Sequence, residues 1–398
     1  MSLFGSGMSS AARASVAATE AARDARAALG TGTPRLAIVF AAVTYPDLDE
    51  LVQAVQEVVG KIPVVGGTAG ACSIGPEACA RYGVSVVLVG GDDIEVATRE
   101  APIASPESLE VVPAAESLAR EADAAAQRGF DHFACLVFAP GIFVDGDALV
   151  AAVRKGAGAR AQLAGCLTGD DFTLDRPAII AGRELRSDRV LLVGLFTKRA
   201  LGIAARHGWR AVGPERVVTR SDGIHLVELD GRRAIDVWVE DARAAGATPP
   251  SDPKELALYL AQHYEIGIVG RALEPQEIVA RAPFAIRDDG AVRLSAAIGD
   301  GAHVRVLHAS KNDLLRASAE AAAEGVLRAG GRVAGALVLA CSGRLAALGD
   351  AFPNEPAGIR ERVGAPIGGA CVYGEIAKNV RDSDAFFNTT TVIVAFGV

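Results

Sequence analysis

The side chains best suited to grip a small molecule lie in the C-terminal third of the chain. The apolar run Gly335–Ala340 ends in Cys341, Ser342, Gly343 and Arg344, and Tyr373, Gly374 and Glu375 follow downstream. The planar fork of Arg344 can clamp a carboxylate or phosphate through two parallel hydrogen bonds, or pair with Glu355. Glu375 can receive an amine or pair with Arg344. Tyr373 offers a ring face and a hydroxyl. Cys341 suits a small buried hydrophobe, or a nucleophile if a base stands beside it. Asn388 can fix a turn or contact a ligand. An amino acid would match this set, with Arg344 on its carboxylate and Glu375 on its ammonium.

Most catalytic signatures are missing. The sequence holds no G-x-x-x-x-G-K-[ST], no G-x-G-x-x-G opening a helix, no H-E-x-x-H and no G-x-S-x-G. No C-x-x-C pair occurs among the six cysteines, and the six histidines form no metal set. A single axial histidine for haem stays open.

These residues need a frame, and the chain repeats one three times. Arg35–Ala42, His132–Pro140 and Gly335–Arg344 each begin as a short apolar run that reads as a buried strand. A helical pattern follows, then a glycine-rich piece (Ile62–Gly75, Ala161–Thr173, Ala365–Ala377), then a closing strand. From Phe40, Phe138 and Leu339 to Gly66, Gly165 and Gly369 the intervals are 26, 27 and 30 residues. A helical crossover makes the first two strands parallel, and the shorter second connection suggests an antiparallel return. The expected fold is α/β, with mixed sheets built from repeated strand-helix-strand-strand units. Ligands of such sheets gather beyond the C-terminal ends of the parallel strands. Gly67 and Thr68 of the first glycine piece and Asp170 of the second therefore join Cys341, Arg344, Tyr373, Glu375 and Asn388 as candidate ligand-binding residues.

The region between the second and third units has a different character. Asp230-Gly231 between alternating runs signals a hairpin, Asp252 before Pro253 suits a helix N-cap, and Asp289-Gly290 and Asp300-Gly301 mark further turns. Two domains are expected, residues 1–218 and 219–398, with a β-rich insert in the second. A net charge of −8 argues against nonspecific nucleic-acid binding. No apolar run reaches membrane-spanning length, and the Ala/Arg-rich N-terminal segment lacks the apolar core of a signal peptide. A cytoplasmic protein with reduced thiols is the expectation.

The motifs "LAIVFAA", "PVVGGTAGACSIG" and "VSVVLVGG" in the first half, and "LVLACSGR", "GGACVYGEIA" and "FFNTTTVIVAF" in the second, resemble the FIST proteins, with paired FIST N and FIST C domains. The likeness spans nearly the whole chain. It departs where family members often show Gly-Cys-Ser, since here Thr68 follows Gly67 and Cys72 comes later. The resemblance implies an intracellular sensory module that binds small molecules, such as amino acids or related metabolites. With no kinase or cyclase domain attached, it would signal to a partner such as a histidine kinase in trans. Some such proteins carry haem and sense nitric oxide, which makes a haem gas sensor the alternative reading. A cysteine-dependent enzyme is the second alternative.

Overall fold

The computed structural model describes residues 2–105, 109–269, 278–378 and 384–398. The three units are present, with the pairing their connections required. Strands Pro34–Ala41, His132–Pro140 and Val333–Cys341 run parallel to Val64–Thr68, Gln162–Thr168 and Ile367–Val372. Each first strand is also antiparallel to its closing strand, Val84–Gly90, Arg189–Thr197 or Thr391–Gly397. Gly66, Gly165 and Gly369 lie opposite Val39, Val137 and Val338. All three have positive φ, and a Cβ there would come within 2.1, 2.0 and 1.9 Å of the facing valine carbonyl oxygen. The glycine spacing in the sequence thus marks one backbone feature used three times.

The repeat is longer than its apolar runs. An edge strand and a helix precede each first strand: Leu3–Ser9 with Ala14–Leu29, Ile94–Pro102 with Val112–Ala126, and Leu201–Arg206 with Lys311–Arg328. Each edge strand pairs with the closing strand of its unit. The units then exchange hairpins in a ring. The hairpin Ser73–Ala80 of the first extends the sheet of the third, Ile179–Arg186 of the second extends that of the first, and the paired strands Gly374–Lys378 and Asp384–Phe387 of the third extend that of the second.

Where the three glycine-rich strands meet, three backbone hydrogen bonds close a cycle. Gly70 donates to the Cys371 carbonyl at 2.7 Å, Tyr373 to Leu167 at 2.8 Å, and Gly169 to Thr68 at 3.1 Å. The donors sit four residues after Gly66, Gly369 and Gly165, and the acceptors two residues after the corresponding glycines. Apolar side chains from all three sheets form one continuous core around this hub, including Phe40, Phe138, Leu339 and Val372.

The third unit is interrupted after its edge strand by residues 207–310, whose described part folds into an antiparallel β-sheet with the helices Ala234–Ala244 and Pro253–His263. The boundary expected at 218/219 falls inside the strand Arg216–Asp222. The hairpin expected at Asp230-Gly231 is formed, with Leu229 opposite Arg232 and positive φ at both turn residues, but its second arm is short. Arg216–Asp222 and His225–Leu229 pair across Gly223, and the run after Asp230-Gly231 gives only the short strand Arg232–Arg233 before turning helical. Ala234, Ile235, Val237, Trp238 and Ala242 fit a helical face as well as an alternating one, and their burial in the insert core selects the helix. Asp252 caps the second helix as expected, accepting from the N–H groups of Lys254 and Glu255. Among the described residues no helix is long and apolar enough to cross a membrane.

Candidate functional site

The insert lies over the strand ends of the second and third units. Its helix Pro253–His263 rests on Ser342–Leu348, where Gln262 donates to the Ala346 carbonyl at 3.3 Å. Between them opens a cavity of about 210 Å³. The helix presents Lys254, Leu258 and Ala261 to it, one stripe at helical spacing. Cys341, Ser342, Gly343 and Ala346 form the floor, the insert adds Ala282–Phe284 and Ser295, and the second unit adds Phe172 and Leu174. A neighbouring cavity of about 240 Å³ lies at the strand end of the second unit, and both share Leu174, Phe284, Ser295 and Tyr373.

Three of the expected site residues meet here. Cys341, Tyr373 and Asn388 line the cavity. The Tyr373 hydroxyl donates to Asp170 and accepts the Phe172 N–H at 2.7 Å. Burial and the neighbouring Asp170 carboxylate keep this phenol protonated far above its ordinary range. Asp170 is buried and lies outside the lining. Besides Tyr373 it gathers Thr173 and the N–H groups of Leu174, Asp175 and Arg176. Its burial opposes ionisation, yet these hydrogen bonds, led by that from Tyr373, hold its carboxyl below the usual range. It shapes the loop that carries Phe172 and Leu174.

Arg344 and Glu375 lie behind the wall and do not pair with each other. Arg344 is fully buried and spends its donors internally. Nε bonds Glu355 at 2.9 Å, Nη1 bonds the His207 and Thr389 carbonyls, and Nη2 bonds the Leu314 carbonyl at 2.7 Å. Thr391 adds a hydrogen bond to Glu355 at 2.7 Å. Glu375 is also fully buried, accepting from the Cys341 thiol and the Thr390 N–H. Burial pushes its carboxyl well above the carboxylate range. Burial, and then the Glu375 charge, push the Cys341 thiol up as well, so the thiol is held protonated and is no activated nucleophile. Gly67 and Thr68 sit on the far side of the hub. Gly67 packs on Ala178, and Thr68 Oγ1 bonds Gly169 and Ala178, so both join the first unit to the second.

Two buried ionisable side chains escaped the sequence reading. Glu265 is fully buried and accepts from Thr389 at 2.7 Å, and burial raises its carboxyl to about 8. Arg281, on the insert, reaches Asp147 of the second unit at 2.7 Å and the Phe386 carbonyl and Asn388 Oδ1 of the third. It ties the insert to both. The available signal was an isolated charge inside an apolar run, in "YEIGIV" and "IVARAPF".

Comparison with known proteins finds two family domains that meet within the insert. The FIST N domain family matches residues 35–232 and the FIST C domain family matches residues 234–378. No curated protein matches. Among solved structures, the chain is similar to the cyanuric acid hydrolase from A. caulinodans at 10% identity and a TM-score of 0.33, covering 100% of both chains. It is also similar to a chorismatase at 9% identity and a TM-score of 0.29, covering 92% of this chain and 94% of that one. At these scores neither likeness constrains fold or chemistry. The family matches decide the matter: the chain belongs to the FIST family, whose paired domains form a sensory module of signal transduction for small ligands.

Proposed function

We propose that this protein senses a small molecule in the cavity beneath the insert and signals to a separate partner such as a histidine kinase. The carrying observation is the cavity itself. It lies beyond the C-terminal end of a parallel strand, and its walls come from the insert and from the second and third units. Phe172, Leu258 and Phe284, exposed by 46%, 56% and 45%, stand around it as apolar surface, with the Phe172 ring against that of Tyr373. A ligand touching the insert and the units together would favour one relative placement of them over another, which is the requirement for a sensor.

The amino-acid reading relied on Arg344 and Glu375, and both are engaged inside the protein. The haem reading finds no histidine among the lining residues, and the Cys341 and Tyr373 protons are committed to Glu375 and Asp170. The ligand is therefore recognised by other groups.

Thermal unfolding against a metabolite library tests the site. Saturation at about 100 times the dissociation constant adds roughly 2.7 kcal/mol to stability. A compound that stabilises the wild type should lose its effect in Ala346→Phe, which fills the cavity floor. A ligand effect that survives this change places binding elsewhere and defeats the proposal.

A further inference from the structure

Resting on that cavity reading, we propose that the ligand carries an aromatic ring and that Phe172 selects it, its own ring held at the cavity by a strained loop. The loop after the strand Gln162–Thr168 gives the cavity two side chains, Phe172 and Leu174. Both sit on left-handed backbone, with φ of 65° and 55°, and Asp171 before them has a φ of 58°. Bulky side chains disfavour that region, and glycine or asparagine would form a plain turn there at less cost. The strain persists because the loop is tied down around it. Asp170 accepts from Thr173 and from the N–H groups of Leu174, Asp175 and Arg176. The Phe172 N–H donates to the Tyr373 hydroxyl at 2.7 Å.

Burial does not repay the strain at Phe172. Its ring leans on that of Tyr373, with centroids 6.3 Å apart and planes at 37°, yet the side chain stays exposed. The core phenylalanines Phe40 and Phe138 are by contrast fully buried. A large ring fixed in direction, open to the cavity and unused by the core is a surface for recognition. The insert brings the exposed Phe284 and Leu258 to the same cavity. An aromatic ring bound there would meet Phe172 from the second unit and Phe284 from the insert, and so join the two parts whose relative placement a sensor must read. Aromatic pairs gain from offset or edge-to-face contact beyond the area they bury. A saturated ring of the same size gains the burial alone.

The probes are 2-phenylethanol and 2-cyclohexylethanol, which share a hydroxyl and a two-carbon arm and differ in the ring. The saturated ring is the more hydrophobic, so burial alone favours 2-cyclohexylethanol. Calorimetric titration of the full chain should instead show 2-phenylethanol binding about threefold to tenfold tighter. Phe172→Leu keeps an apolar side chain without the ring, and should abolish this preference while leaving 2-cyclohexylethanol nearly unchanged. Phe172→Asn suits the left-handed backbone, so it should keep the urea midpoint of the wild type and lose the preference, which separates recognition from folding. Equal binding of the two alcohols, a preference that survives Phe172→Leu, a midpoint that falls in Phe172→Asn, or no binding of 2-phenylethanol at millimolar concentration overturns the selection by Phe172. A 2-phenylethanol affinity unchanged in Ala346→Phe overturns the cavity reading instead.

Discussion

The first two units and the third share one backbone and bury different things. At the hub, the donor four residues after the positive-φ glycine is Gly70 in the first unit, Gly169 in the second and Tyr373 in the third. A Cβ on Gly169 would lie 2.4 Å from the Gly70 Cα, and one on Gly70 would lie 2.1 Å from Ser342 Oγ. The tyrosine points outward into the cavity wall. The strand end carries Ala42 in the first unit, Pro140 in the second and Cys341 in the third, and behind Cys341 lie Arg344, Glu355, Glu375 and Glu265, all buried. Repetition preserved the hydrogen-bond geometry, while polar chemistry accumulated only where the insert covers the strand ends.

Breaking the buried polar cluster should give the largest effect. Arg344→Met leaves Glu355 without its guanidinium and removes the hydrogen bonds to the His207, Thr389 and Leu314 carbonyls, at a cost of about 3–5 kcal/mol in urea unfolding. Full stability in this variant would mean that the cluster contributes nothing to the fold.

The hub sharpens the contrast further. Gly169→Ala forces a Cβ against backbone and should cost well over about 1 kcal/mol, whereas Tyr373→Gly restores the residue type of its two siblings and should keep the hub intact. Comparing the slowest-exchanging amides of the two variants would show whether the hub opens in the first alone.

Titration separates the units as well. The raised Glu265 carboxyl binds a proton more readily in the folded chain than in the unfolded one. Its contribution is present at low pH and is lost as pH climbs from about 4.5 through about 8. Melting temperature should decline over this window in the wild type, and Glu265→Gln should flatten the decline. An unchanged slope would remove Glu265 as its source.

The smaller effects lie at the rim. Tyr373→Phe removes one bond to Asp170, which keeps four others, at about 1 kcal/mol. Asp252→Ala uncaps the cavity helix and should cost about 1 kcal/mol or less, read from the shift in urea midpoint.

The apolar strands and the spacing of Gly66, Gly165 and Gly369 were legible in the sequence because each has a local physical cause. The edge strands were not. Leu3–Ser9 carries Gly5 and Gly7, which lie against the backbone of the alanine-rich helix Ala14–Leu29, so close packing removed the bulky side chains that announce a strand. Tyr373 and Asn388 could be picked out by type, since neither has a counterpart in the other units. The partner of Arg344 could not be decided, because Glu355 and Glu375 are equally available in one dimension. Arg281 and its hold on Asn388 depend on the docking of the insert, which no local pattern encodes.

The ring of exchanged hairpins also bears on how the chain is made. The sheet of the second unit needs Gly374–Lys378 and Asp384–Phe387, and the sheet of the third needs both Leu201–Arg206 and Ser73–Ala80. During synthesis from the N-terminus, two of the three sheets must therefore wait for the last segment to leave the ribosome. Until then the strand Gln162–Thr168 offers an unpaired edge. A nascent chain stalled before residue 374 would be exposed to capture by chaperones or by its own neighbours, and a ribosome-bound series of increasing length would show protease resistance arriving late and all at once.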